Sequence, residues 1–250
     1  MPCFGEFDID LVSALREQLF HAFGKLEQGP LSDDQINMLR PGQGVYLLYQ
    51  QSNLVYIGKA SKLANRLRQH RRKISGRRNI QIDEMSFKCL FLSNNWVALA
   101  PEASLIRHFE QSGFPADWNG SGFGSKDPGN NREETKKPPD GFDVKYPIRD
   151  DWQCDGINPG TWNCLDLLLS LKDNLPYLLR FQFKYSYYRK GHPGYNEATV
   201  EVPVKEMPAR DLLRLIVSCL DGWQATVFPG HMILYQESRD YKYGEVLKPL

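Results

Sequence analysis

The sequence predicts an α/β protein of the α+β type, with a small, largely antiparallel sheet flanked by helices and an additional α+β unit at the C-terminal end. Three observations carry this. Val45-Tyr46-Leu47-Leu48-Tyr49 and Leu54-Val55-Tyr56-Ile57 are β-branched and aromatic runs split by the polar Gln50-Gln51-Ser52-Asn53, a hairpin pattern. Helical periodicity brackets this pair on both sides. After a long unpatterned stretch, helix and strand signals resume. The 250 residues suffice for one large domain or two small ones.

Taken in order, Ile9, Val12, Leu15, Leu19, Phe20 and Phe23 recur at near-helical spacing and predict a helix over 8–23. Ser32 with Gln35 is a capping-box start for a short helix that Pro41 and Gly42 end. The hairpin follows, then a helix from Ser61 to Ile74, a third strand near Phe87–Leu92, and a helix opened by Pro101 and running to Gln111. Gly120 to Pro139 is rich in Gly, Pro, Asn and charge and carries no periodicity, which predicts a long functional or connecting loop. From Trp152 a second pattern begins. Leu165, Leu168, Leu169 and Leu171 predict a helix ended before Pro176. A long strand over Tyr177–Tyr188 is expected to pair with Ala198–Val204, followed by a helix over Pro208–Leu220 and a strand over Ala225–Tyr235. The expected division is a helical extension at 1–40, a central domain at 41–150 with its loop at 120–139, and a C-terminal unit at 151–250.

Composition narrows the function classes. The five cysteines never stand as C-x-x-C and the five histidines form no H-E-x-x-H, which argues against a disulfide framework, a zinc knuckle and a zinc protease. No apolar run reaches bilayer length and no signal segment opens the chain, so a cytoplasmic location without membrane contact is expected. The net charge of +1 does not announce a nucleic-acid binder. Its distribution does: Lys59, Lys62, Arg66, Arg68, Arg71, Arg72, Lys73, Arg77 and Arg78 follow one another with no acidic residue among them. On a helical wheel Leu63, Leu67 and Ile74 form the buried stripe. His70 lies close to it and Arg66 at its edge, so both face the sheet that bears the tyrosines. Arg68, Arg71 and Arg72 remain outside, where they can meet a DNA backbone.

The motif set is more specific. Gly44-Val45-Tyr46, followed by Tyr56-Ile57-Gly58-Lys59, then Leu63 and Arg66, Glu102 at a helix start, and Trp118-Asn119, resembles the GIY-YIG nuclease superfamily over Pro41–Asn119. His70 four residues after Arg66, and the run Gly120-Ser121-Gly122-Phe123-Gly124, are similar to its Type II restriction endonuclease branch.

That resemblance implies the GIY-YIG fold and a metal-dependent DNA endonuclease. Hydrolysing a phosphodiester needs a base for water, charge stabilisation on the phosphoryl group and help for the leaving oxygen. The implied assignments are Tyr46 as general base with His70 assisting, Arg66 holding the phosphate and Tyr56 lining the site. Lys59 and Arg66 are expected to lower the tyrosine pKa from about 10. Glu102 is expected to bind one Mg²⁺ or Mn²⁺ per site, and Asn119 to orient the site. The implied partners are palindromic double-stranded DNA, a second copy of the chain, and a cognate DNA methyltransferase.

Lys126, Asn130, Asn131 and Arg132 suit base reading in the loop, which otherwise reads as a connector. Tyr185, Tyr187, Tyr188, Arg189, Lys190 and His192 either grip nucleic acid or form core and surface. Two rival readings are a structure-selective or repair-type nuclease of the same superfamily, and a DNA-binding module without chemistry.

Overall fold

The hairpin turns on Gln51 and Ser52, both at positive φ, and Gln50 pairs with Asn53 across it. Two central residues in the left-handed region match the twist of antiparallel strands, so this turn fixes the register of everything beside it. In a computed structural model, residues 10–93, 102–124, 133–134, 141–182 and 192–250 are described. The chain divides into two compact units, Met1–Arg71 with Gln81–Gly124, and Arg72–Ile80 with Ser125–Leu250.

The first unit begins with α1 (Leu11–Gly24), whose N-cap Asp10 accepts from the Ser13 N–H at 2.9 Å. The two-residue β1 (Gly29–Pro30) follows, then α2 (Asp33–Asn37), capped by the Ser32 hydroxyl. The hairpin strands are β2 (Gly44–Gln50) and β3 (Asn53–Ala60). After them come α3 (Leu63–Ser75), β4 (Met85–Phe91) and α4 (Glu102–Gln111). The sheet order is β1-β4-β2-β3, antiparallel throughout.

Alternation along β2 divides the unit into three layers. Val45, Leu47 and Tyr49 join Leu19 and Phe23 of α1 and Leu105 and Phe109 of α4 in one core. On the other face Tyr46 meets His70 of α3. Leu63, Leu67 and Ile74 of that helix are fully buried, as the wheel predicts.

The second unit holds α5 (Phe142–Lys145), β5 (Gly160–Asn163), α6 (Cys164–Asn174), β6 (Leu178–Phe181), α7 (Pro193–Glu197), β7 (Thr199–Val202), α8 (Ala209–Ser218), β8 (Gln224–Val227), β9 (His231–Tyr235) and β10 (Glu245–Leu247). Two expectations are corrected here. The strand at 199–202 pairs antiparallel with β5, not with β6, and β6 lies parallel to β9. The run 225–235 is two strands rather than one, because Pro229 and Gly230 interrupt it and the Phe228 N–H closes the turn onto the His231 carbonyl at 2.9 Å. Leu165, Leu168 and Leu171 of α6 and Leu212, Leu213 and Ile216 of α8 line the core of this mixed sheet. No helix among the described residues is long and apolar enough to cross a membrane.

Candidate active site

The site is built on the β2–β3 register. Tyr46 stands opposite Gly58, and Tyr56 opposite Leu48, so both tyrosines and the glycine lie on the α3 face of the sheet. A Cβ at position 58 would come within 2.3 Å of the Tyr46 hydroxyl oxygen. The glycine of one tripeptide is therefore what allows the tyrosine of the other to lie across β3.

Helix α3 supplies the polar groups above. His70 is 2% exposed, and its Nε2 lies 2.7 Å from the Tyr46 hydroxyl. Arg66, half-buried, donates from Nε to the same oxygen at 3.3 Å and from Nη1 to Gln69 Oε1 at 3.2 Å. The hydroxyl and Nε2 are thus close enough to share a proton, with the guanidinium as a second neighbour of the same oxygen.

The electrostatics differ from the sequence expectation. Burial pushes the Tyr46 hydroxyl well above its ordinary range, Tyr56 and Glu102 add to this, and Arg66 offsets only part of it. Tyr56 is raised by burial and by Glu102. Burial alone would lower Arg66, but hydrogen bonding and attraction from Tyr46 and Tyr56 leave it raised, so its charge is secure. The expected lowering of the tyrosines by cations is thus corrected: desolvation outweighs it. Lys59 sits one residue from Gly58 in β3, opposite Val45, so its Cβ lies on the alternate face from Tyr56 and Gly58.

Glu102 opens α4 and is partly buried, with its carboxylate close enough to act on both tyrosines. Asn119 is occupied with backbone: its Oδ1 accepts the Ile57 N–H at 2.9 Å and its Nδ2 donates to the Ile57 carbonyl at 2.9 Å. Together with the Trp118 N–H on the Val55 carbonyl, it closes the edge of β3 between Tyr56 and Gly58.

The remaining basic residues separate. Arg68 is exposed and donates to Asn37 Oδ1 at 2.7 Å and Asn65 Oδ1 at 3.3 Å. Arg71 pairs with Asp33 at 3.0 Å. Arg72 donates to the carbonyls of Asp173 and Leu175, capping the C-terminal end of α6. These three were expected to stand free for DNA; apart from Asn65, the partners lie on other elements, which a wheel of α3 alone does not display. Lys126, Asn130, Asn131 and Arg132 lie outside the described residues, as do Tyr185 to Lys190. His192 caps α7, its Nδ1 accepting the Gly194 N–H at 3.2 Å.

Sequence reasoning missed one residue at the site. Phe123, 1% exposed, stacks on His70 with ring centroids 4.7 Å apart and 17° between planes. The available signal was an aromatic residue set among glycines that permit a reversal of the chain.

The donor set bears on which cation the site suits. Among the described residues no three His, Cys, Asp or Glu side chains gather to hold a metal ion. One carboxylate beside two phenols does not fit a zinc cage. It does fit a hard divalent cation that keeps its waters and takes substrate oxygens.

Compared with known families, residues 48–152 match the one described as the Eco29kI GIY-YIG domain. The matched range begins just after Tyr46 and contains Tyr56, Lys59, Arg66, His70, Glu102 and Asn119. No curated protein matches the chain.

Proposed function

Because the chain carries, over residues 48–152, a GIY-YIG nuclease domain of the Eco29kI restriction endonuclease family, we propose that it is a Type II restriction endonuclease that cuts both strands of a palindromic DNA site as a homodimer. The observation that supports this best is the cluster in which Arg66 and His70 converge on the Tyr46 hydroxyl.

In this reading Tyr46 takes a proton from the attacking water as it passes its own to His70 Nε2. The raised Tyr46 suits such a transfer, since no free phenolate has to accumulate in the buried site. Arg66 binds the non-bridging phosphate oxygens. It makes no ion pair with a carboxylate among the described residues, so an incoming phosphate would meet a guanidinium whose hydrogen-bond partners are neutral. Tyr56 confines the phosphoryl group. Glu102 would hold one Mg²⁺ or Mn²⁺, which supplies charge neutralisation at the leaving oxygen. Asn119 keeps β3 in place beneath the reacting atoms.

Residues 41–150 would carry the cutting and 151–250 recognition or dimer contacts. Arg68 would contact phosphate by exchanging neutral amide partners, and Arg71 by leaving Asp33. Lys126, Asn130, Asn131 and Arg132 would read base edges. A palindrome presents one half-site to each protomer, which motivates the dimer. A cutter of this kind requires a companion DNA methyltransferase that protects its site in the cytoplasm.

Unmethylated phage DNA incubated with Mg²⁺ should give discrete fragments that vanish with chelator and with Glu102→Ala. Smearing or nicking instead would favour a repair-type nuclease, and binding without cleavage a non-catalytic module.

A further inference from the structure

The Tyr46–His70 pair explains where a proton can go, but not what holds the imidazole in the plane that receives it. His70 Nε2 must point at one oxygen, and a ring turned by a few tens of degrees would miss it. Among the described residues three aromatic rings lie against the imidazole. Tyr46 and Tyr56 approach at 5.5 and 5.4 Å, inclined by 50° and 59°. Only Phe123 among them lies nearly parallel, at 17°.

The chain reaches this position by a local reversal. Gly120 and Gly122 have φ of +73° and +104°, a region that side-chain-bearing residues rarely adopt. A Cβ at Gly122 would meet nothing within 4 Å, so the glycine serves the backbone conformation and not a close approach. The reversal is held by the Ser121 hydroxyl, which donates to the Trp118 carbonyl at 2.9 Å. Phe123 is then fixed between the Trp118 ring at 4.7 Å and the Tyr56 ring at 5.0 Å.

We propose that Phe123 is a positioning residue of the cleavage reaction, whose ring clamps the His70 imidazole so that Nε2 stays aimed at the Tyr46 hydroxyl and water is kept from that face. This rests on the reading of Tyr46 and His70 as the proton path. Among the described residues, the rings facing the imidazole come from three elements, Tyr46 from β2, Tyr56 from β3 and Phe123 from the reversed segment, while Arg66 of its own helix meets the Tyr46 hydroxyl. Glu102 of α4 acts on the two tyrosines. Phe123 brings no charge, so its effect is on orientation and solvent access.

A double-mutant cycle tests this. Single-turnover cleavage of a short duplex carrying the site mapped on phage DNA is measured for wild type, Phe123→Leu, His70→Gln and the double variant. DNA affinity is measured in chelator, and thermal melting monitors folding. Phe123→Leu keeps an apolar side chain and loses the flat face. It should slow cleavage about tenfold, with affinity unchanged, since a positioned proton acceptor is worth roughly 10²–10⁴-fold and misorientation forfeits part of that. In the His70→Gln background the same substitution should cost less than about twofold. Equal losses in both backgrounds, or a loss expressed wholly as weaker DNA binding, overturn the inference and leave the nuclease reading standing. A folded wild-type chain that cuts no DNA overturns both.

Discussion

The basic run from Lys59 to Arg78 passes from the first unit to the second, and Arg66 in the first has the opposite fate to Arg77 and Arg78 in the second. In the first, Arg66 is half-buried between phenols and an amide, with its positive charge intact. In the second, Arg77 is 4% exposed and reaches Asp143 at 3.0 Å and the carbonyls of Tyr146 and Pro229 at 3.1 and 3.3 Å. Arg78 and Arg210 converge on Asp150, each at 2.7 Å, and hold its carboxyl below the usual range although burial alone would raise it. Burying a charge is costly unless it is paired. At Arg77, Arg78 and Arg210, which are structural, the second unit meets that cost with carboxylates and carbonyls. The first leaves it partly unmet, and such a cation is suited to a ligand that brings its own negative charge.

The largest effect should come where compensation is poorest. Arg66→Ala is expected to lower single-turnover cleavage about a thousandfold, comparable to removing one fixed donor to a developing anion. The melting temperature should hold or rise, because the variant removes a desolvated cation. A loss under tenfold, or a melting temperature that falls as far as in Arg77→Ala, would break the comparison.

Arg77→Ala should do the reverse. Asp143 would remain buried without its partner, at a cost of about 3–5 kcal/mol in urea unfolding. Replacing both, as Arg77→Met with Asp143→Leu, should recover most of that stability, with cleavage tracking the folded fraction. If the double variant is no more stable than the single one, the pair has some role besides mutual neutralisation.

How far these fates could be read in the sequence depends on distance along the chain. The hairpin, α3 and α4 were legible because each is a local pattern, and the wheel placed His70 beside Leu63 and Leu67 from periodicity alone. The face of β3 on which Lys59 lies was also legible, from alternation with Tyr56 and Gly58. The partners of Arg72 and Arg77 were not legible, since they lie 103 and 66 residues away. Nor was the parallel pairing of β6 with β9, which no turn chemistry specifies. The rise of the Tyr46 hydroxyl follows from packing on both faces of the sheet, and a list of nearby cations does not contain it. Phe123 was hidden differently: its glycines were visible, but which ring they return the chain to is a matter of tertiary structure.

The smallest effect separates two neighbouring exposed arginines of α3. Among the described residues Arg68 has only amide partners, Asn37 and Asn65, and exchanging them for a phosphate leaves no charge unpaired. Arg72 is tied to the last carbonyls of α6, which would lose their donor if it turned to DNA. In chelator, Arg68→Ala should therefore reduce the slope of log affinity against log salt by about one, with stability unchanged. Arg72→Ala should leave the slope alone and cost about 1 kcal/mol of stability, the value of a lost cap hydrogen bond. Should Arg72→Ala flatten the salt dependence as much as Arg68→Ala does, the cap must open on DNA, and the division between a DNA-facing and a structural part of α3 would have to move past residue 72.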